Sequence, residues 1–268
     1  MARIKEIALH RAYLLHSRPY RDSSLLVDLL SEEHGHVSAI VYVGKSKKSN
    51  KKGLLQPFSS LQIELKGQSD LKTLSQLEPA EKSLQLSSTF LYSGFYLNEL
   101  MVRLLPENIP CPELFHLYQS SINALSQQHS IEPILRRFEL SLLEELGMSI
   151  DFSSIDEQLL EADNETAESS FEDGQYLMAN EQDSNTFRIN EPKPVYWHFI
   201  PEQGFIRADG TLNFPSYKQL HLQEIGHGNF TDANVLLTCK QLMRQVLQLY
   251  LGNKPLNSRK LFFNRLAK

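Results

Sequence analysis

The sequence has 268 residues, of which 41% are hydrophobic and 22% charged, and its net charge is −5. This composition is that of an ordinary water-soluble chain, long enough for more than one domain. No apolar run approaches the roughly 18 residues that span a bilayer, and residues 1–11 lack the apolar core of a signal peptide, so we expect a cytoplasmic protein. Cys111 and Cys239 are the only cysteines and lie far apart, which argues against a structural disulfide or a thiolate zinc site.

Short segments of alternating apolar and polar residues fill the first 80 positions. Period-two alternation predicts strands, and it occurs at residues 7–16, 25–30, 36–43, 61–66 and 71–77. The segment SRPYRDSS around Pro19 predicts a turn between the first two strands. Five short strands in this length predict a small closed barrel of the OB type, and an SH3-like barrel fits the periodicity nearly as well.

A strongly basic loop is predicted between the third and fourth strands. Five lysines lie within eight residues, with no acidic residue among them: Lys45, Lys47, Lys48, Lys51 and Lys52. Because five ammonium groups repel one another, we expect the loop to extend from the barrel and to bind a polyanion such as DNA. Arg18 and Arg21, in the turn between the first two strands, are added as candidate DNA-binding residues. A merely solvated surface loop is the alternative interpretation.

The net charge hides an uneven distribution along the chain. Residues 151–192 carry twelve acidic and one basic side chain, a net charge of −11, and residues 81–150 carry a net charge of −4. Residues 1–80 carry +4 and residues 193–268 carry +6. The negative total therefore does not argue against binding of nucleic acid, because the distribution matters more than the sum.

From Glu81 onward the apolar spacing becomes helical. Helices are predicted up to Pro106, from Pro112, and from Pro133 to a stop at Gly147, and Gly94 in the first of them would allow a close helix contact. In the C-terminal half of the chain, the sequence predicts an exposed acidic insertion up to Gly174 and a hairpin at residues 195–207. A long helix is predicted from Thr231 or Asp232 to Gly252, with a buried Cys239 on its apolar face. The tail NSRKLFFNRLAK could form a short basic helix.

Motifs for catalysis are missing from the sequence. Gly44-Lys45-Ser46 ends like a phosphate-binding loop, but Ala39 stands where that motif needs a glycine. The nine histidines show no HExxH pattern, and His34 and His36, which flank a turn, are expected to be surface residues rather than metal ligands. We therefore expect neither an enzyme nor a cofactor, although a nucleotide-dependent enzyme stays open as an alternative.

Several blocks of the sequence resemble the RecO family of bacterial recombination mediators. They keep the family's order and span nearly the whole chain: LHSRPYRDSSLLVDLLSEEHG (15–35), GLLQPF (53–58) after the basic loop, LKTL (71–74), LYSGFYLNEL (91–100), LRRFELSLLEELG (135–147) and YLGNKPLNSRKLF (250–262). The resemblance implies an N-terminal OB-fold, a central helical bundle and a small inserted domain. It also implies binding of single- and double-stranded DNA, annealing of complementary strands, and partnership with RecR in helping RecA to replace single-strand-binding protein.

The resemblance and the residue patterns together predict an α+β protein. We expect a five-stranded OB-fold barrel in residues 1–80, the first part of an α-helical bundle domain in residues 81–150, an acidic inserted subdomain containing strands in residues 151–210, and the rest of the helical domain in residues 211–268. Some family members hold zinc through four cysteines in the inserted domain, but residues 151–205 contain no cysteine here. No metal site is therefore expected, and packing of aromatic residues should hold the insertion together: Tyr196, Trp197, Phe199 and Phe205.

Some residues are expected to contact a partner protein or the bases of DNA. The family resemblance implies that the helical domain binds the acidic, phenylalanine-ended tail of single-strand-binding protein, and Arg136 and Arg137 are the candidate contacts because an arginine can hold a carboxylate with two hydrogen bonds. Pairing with Glu132 or Glu139 on the same helix is the alternative. Candidates for stacking on bases are Tyr13, Tyr20 and Tyr42, each of which could equally be packing. A membrane is not among the expected partners, and the protein is expected to act at the nucleoid. The rival hypothesis is an adaptor whose lysine loop binds an acidic protein.

Overall fold

Five strands in the N-terminal part of the chain close into a barrel. The structure is a computed structural model that describes residues 9–44, 51–155 and 194–263. The strands are β1 (His10–Tyr20), β2 (Ser24–Ser31), β3 (Gly35–Tyr42), β4 (Ser60–Lys66) and β5 (Lys72–Pro79), in the order β1-β2-β3-β5-β4. β3 and β5 are parallel and the other neighbours are antiparallel. Alternate apolar residues point inward, among them Val27, Leu29, Val41 and Ile63, so the predicted barrel and α+β fold class are confirmed.

β1 extends further than the sequence predicts. The predicted turn around Pro19 is wrong, because β1 continues to Tyr20 and Pro19 pairs with Leu25 of β2. β4 pairs with β1 only from His10 to Tyr13, so on that side the segment around Pro19 has no partner strand within the described residues. Proline lacks a backbone N–H and is tolerated on such an edge.

Helices follow the barrel. In chain order they are α1 (Lys51–Leu54), α2 (Ser88–Leu104), α3 (Pro112–Ser126), α4 (Ile131–Glu145), α5 (Gln219–Gly226), α6 (Ala233–Leu251) and α7 (Asn257–Phe263). α4 stops at the predicted place, where Gly147 adopts a φ of 69° and donates its N–H to the carbonyl of Glu144. Cys239 in α6 is buried, as predicted. No helix in the described ranges is long and apolar enough to cross a membrane.

A buried asparagine joins the barrel to α2. The register of β1 shifts after Leu14, which leaves the carbonyl of Leu15 out of the ladder. The side-chain amide of Asn98 donates to that carbonyl at 2.9 Å, and its oxygen accepts from the hydroxyl of Tyr118 at 2.7 Å. Gly94, one turn earlier, lets α2 lie close to the loop that follows α1 rather than to another helix, since a Cβ there would lie 2.7 Å from the ring of Phe58. These contacts fix the outer surface of β1 against the helices.

The chain divides into two compact units, residues 1–149 with 243–268, and residues 150–242. The second unit contains a three-stranded sheet of order β7-β6-β8, formed by β6 (Tyr196–Ile200), β7 (Gly204–Arg207) and β8 (Ser216–Lys218). The predicted hairpin is therefore present, but β8 and α5 were not anticipated. Trp197 and Phe205 are buried and Phe199 packs on Phe205, whereas Tyr196 is exposed, contrary to its expected packing role.

Candidate nucleic-acid interface

One face of the barrel carries aromatic and basic side chains in register. Tyr20 of β1 pairs with Ser24 of β2, which pairs with Tyr42 of β3, so the three residues form one row across three strands. Directly paired residues point to the same side of a sheet. Arg18 lies two residues before Tyr20, on the same face, and its side chain is exposed. Tyr42 is 63% exposed, a high value for a large aromatic side chain.

The turn between β1 and β2 places a further cation beside this row. Arg21 has a φ of 54°, and its guanidinium carbon lies 5.1 Å from the centre of the Tyr20 ring. In the same turn the carbonyl of Ser23 accepts hydrogen bonds from the N–H groups of Val43 and Gly44. The residues that precede the lysine run are thereby attached next to Arg21, half-buried Tyr20 and exposed Tyr42.

The end of the lysine loop returns to the barrel through α1. Leu55 is buried in the barrel core and Leu54 packs against it, which fixes this end of the loop. Lys51 Nζ donates to the carbonyl of Ser75 on β5 at 3.5 Å, and Lys52 is exposed. These two lysines therefore begin a helical turn rather than lying in an open loop. Lys45, Lys47 and Lys48 lie outside the described residues.

The described part of this surface has the chemistry for single-stranded nucleic acid. Exposed cations can neutralise phosphates, and exposed aromatic rings can stack on bases of any sequence. Tyr13 is not part of it, because its ring is only 2% exposed and packs on Phe115 and Tyr118. Of the three tyrosines considered from the sequence, the structure therefore places Tyr20 and Tyr42 on the basic face and Tyr13 in the core.

The opposite end of the same face is covered by the chain that follows α2. His36 is buried, so its expected surface position is wrong: its carbonyl accepts from the N–H of Asn108 at 2.7 Å and its Nδ1 lies 3.2 Å from the carbonyl oxygen of Leu105. Burial lowers the pKa of His36, but Asp28 and the Leu105 carbonyl more than reverse this and raise it. Burial raises the pKa of Asp28, but His36 and the hydroxyl of Ser38 outweigh burial and lower it.

Arg136 and Arg137, the predicted partner contacts, have different surroundings. Arg136 is 5% exposed, and its Nη1 lies 2.8 Å from Oε2 of Glu139, which is fully buried. Tyr96 on α2 donates its hydroxyl to the other carboxylate oxygen of Glu139. Arg137 is exposed. The pairing with Glu139 was the alternative left open by the sequence, and the predicted role of the two arginines in partner binding stays a prediction.

A cavity of about 520 Å³ lies between β1, α2 and the start of α7. Its lining is mainly apolar and includes Leu15, Phe95 and Leu261, with Arg103 and Lys254 among its charged residues. Glu99 also lines it and accepts hydrogen bonds from the first two backbone N–H groups of α7, at 2.8 Å each. Sequence reasoning missed this cavity, because its residues lie in three segments with no common motif.

Comparison with known proteins agrees with the geometry. Residues 6–82 match the family model described as Recombination protein O N terminal, and residues 88–155 match Recombination protein O C terminal. The first match covers the barrel, and the second covers α2, α3 and α4.

Relatives that match over nearly their whole length carry the name of the same family. The chain is 37% identical to the DNA repair protein RecO of Idiomarina loihiensis over 255 residues, which covers 94% of this chain and 96% of that protein. It is 39% identical to the DNA repair protein RecO of Pseudoalteromonas atlantica, covering 93% and 92%. It is 35% identical to the DNA repair protein RecO of Vibrio cholerae, covering 95% and 93%. The chain therefore belongs to the RecO family of DNA repair and recombination proteins.

Proposed function

We propose that this protein binds single- and double-stranded DNA, anneals complementary strands, and with RecR helps to load RecA onto DNA coated by single-strand-binding protein. It acts as a non-enzymatic mediator at the nucleoid, in the cytoplasm. The observation that supports DNA binding is the row of Tyr20 and Tyr42 beside Arg18 and Arg21, next to the start of the lysine loop. The RecR and RecA steps rest on family membership.

Annealing follows from charge and geometry. Two complementary strands repel each other through their phosphates, and a surface that neutralises phosphates on both lowers this repulsion. Arg18 and Arg21 lie at the β1–β2 end of the barrel, whereas the lysine run spans the connection from β3 to α1 in the sequence, with Lys51 and Lys52 in α1 itself. The barrel face and the lysine loop thus offer two cationic regions, one for each strand. Tyr42 stacks on a base without reading its sequence, as annealing of any sequence requires.

A strand-annealing assay, with and without single-strand-binding protein, tests this proposal. Arg18→Ala combined with Arg21→Ala should slow annealing, whereas Lys82→Ala with Arg207→Ala, which removes two exposed cations elsewhere, should not. Equal annealing rates in both double variants would refute the assignment of the barrel face. Urea unfolding of both proteins controls for the fold, because exposed cations add little to stability.

For the tail of single-strand-binding protein, we propose contact with α4 through Arg137 and Arg136. The exposure of Arg137 makes it the more accessible of the two. Arg137→Ala should weaken binding of a tail peptide by roughly 1.5–3 kcal/mol, the range for a hydrogen bond to a charged group. Binding of naked poly-dT by the same variant should not change. Unchanged peptide affinity would exclude Arg137.

A further inference from the structure

Two histidines and a glutamate meet at one end of the barrel. His10 is the first residue of β1, and Glu33 and His34 form the turn between β2 and β3. One ligand atom from each of the three side chains lies within 4.8 Å of the other two. The rings of His10 and His34 meet edge to face with centroids 4.9 Å apart, and Nδ1 of His10 lies 2.7 Å from Oε2 of Glu33.

Strand pairing explains why these residues meet. Side chains alternate along β1, so His10 faces the same side as Ala12 and Leu14, which belong to the barrel core. Ala12 pairs with Ser31 at the end of β2, and the N–H of Glu32 donates to the carbonyl of Arg11 at 3.0 Å. The following turn is therefore held across the end of the barrel, above the ring of His10.

The three side chains carry the donor atoms of a metal site. Nδ1 of His10 is shielded from solvent and faces Oε2 of Glu33 at 2.7 Å as an ion pair, so two of the three candidate ligand atoms already point at each other. Imidazole nitrogens and a carboxylate oxygen are the ligands that zinc and similar divalent ions accept, and three protein ligands leave one tetrahedral position open.

We propose that His10, Glu33 and His34 bind one divalent transition-metal ion of the zinc type. Ligand atoms on one tetrahedral ion with bonds of about 2.05 Å lie roughly 3.3 Å apart, so the ligand atoms of the three side chains need to move by about an ångström to bind one ion. Glu33 permits this, since its side chain is 61% exposed. The ion ties the first strand to the turn between β2 and β3 and offers its fourth position to water. The site lies outside the inserted domain and uses no cysteine.

The neighbouring charge sets the expected affinity. Lys72 of β5 is close enough to His34 to act on it electrostatically. Its ammonium group opposes a bound cation, so this is a weaker site than one surrounded by neutral groups. Lys72→Met removes that charge while keeping the length of the side chain, and it should tighten metal binding.

The test is a titration of metal-free full-length protein with Co²⁺, followed by displacement with Zn²⁺. We expect one Co²⁺ per chain with the visible absorption of a tetrahedral site, and a melting temperature that rises with Zn²⁺ concentration. Glu33→Gln and His34→Ala should each weaken binding at least tenfold, whereas Lys72→Met should strengthen it. His129→Ala and His227→Ala, which remove exposed histidines elsewhere, should leave it unchanged.

Two outcomes would overturn the proposal. One is the absence of saturable Co²⁺ binding to the wild-type protein up to about 1 mM, the limit of a weak site. The other is equal binding by the wild-type protein and by both ligand variants, which would place the ion elsewhere. The melting temperature of metal-free Glu33→Gln should equal that of the metal-free wild-type protein, which separates loss of a ligand from loss of the fold.

Discussion

Replacing Arg136 by alanine should destabilise the helical part of the protein, because it leaves a buried carboxylate without its cation. Glu139 is fully buried between α2 and α4, and its charge is balanced by Arg136 at 2.8 Å and by the hydroxyl of Tyr96. Burial raises the pKa of Glu139, and Arg136 and Tyr96 oppose that rise. Without Arg136 the carboxyl group folds most easily in its protonated form.

The cost follows from the protonation that the variant requires. One pKa unit is worth 1.36 kcal/mol and an unfolded glutamate titrates near 4.3, so holding Glu139 protonated at pH 7 costs about 3.7 kcal/mol. This agrees with the roughly 3–5 kcal/mol measured when one partner of a buried ion pair is removed. A carboxyl group with a raised folded-state pKa stabilises the fold fully below its unfolded pKa and loses that contribution as the pH rises through its folded pKa. At pH 5 the cost should therefore fall to about 1 kcal/mol.

The assay is urea unfolding of Arg136→Ala and wild-type protein at pH 5 and pH 7, followed by far-UV circular dichroism. Tryptophan fluorescence is unsuitable, because the single tryptophan, Trp197, lies in the other compact unit. Arg136→Met combined with Glu139→Leu, which removes both charges, should recover most of the lost stability. A loss below about 1 kcal/mol at pH 7, or a loss that does not depend on pH, would show that buried Glu139 does not need the charge of Arg136.

Three further predictions concern the barrel. Gly35→Ala should lower the free energy of unfolding in urea by about 2–4 kcal/mol, because the residue has a φ of 67° and the new Cβ would lie 1.8 Å from the carbonyl oxygen of Ile109. Gly67→Ala is the control: its φ is 106° but the space around it is open, so it should lower the free energy of unfolding by only about 1 kcal/mol. Asp28→Asn should reduce stability at pH 7, because the carboxyl pKa of Asp28 is lowered in the folded state and ionised Asp28 therefore stabilises the fold. The loss should shrink as the pH falls below the unfolded pKa and through the lowered folded pKa, and a loss that does not depend on pH would contradict this. Tyr42→Ala should weaken poly-dT binding by roughly 1–3 kcal/mol without changing the melting temperature, and unchanged affinity would remove it from the interface.

Much of the fold could be predicted from local patterns. The barrel strands follow period-two alternation, and the end of α4 at Gly147 follows from the conformational freedom of glycine. Pro19 was misread because its tolerance in β1 depends on how far β4 extends along that strand, which no local pattern reveals. β8 has three residues and was missed because a strand that short has no period to detect.

Charged residues of the candidate site could be found from the sequence, whereas the burial of individual side chains could not. The lysine run is visible in the sequence because its charges are contiguous. His36 was misjudged as a surface residue because the groups that cover it come from another part of the chain, and the burial of Arg136 depends on packing of α4 that no local pattern reveals. His10 and His34 are far apart in the sequence, and no local pattern reveals that pairing of β1 with β2 brings them together.

We propose that the lysine loop and the barrel face bind DNA through its phosphates. The most direct test is a salt titration of poly-dT binding by the wild-type protein and by a variant in which five lysines are replaced by alanine: Lys45, Lys47, Lys48, Lys51 and Lys52. The slope of log affinity against log salt should become shallower by about 0.7 for each lost phosphate contact on single strands. Affinity should fall alike on all sequences, with the melting temperature unchanged. An unchanged slope in the variant would contradict the claim and remove the loop from the DNA-binding surface.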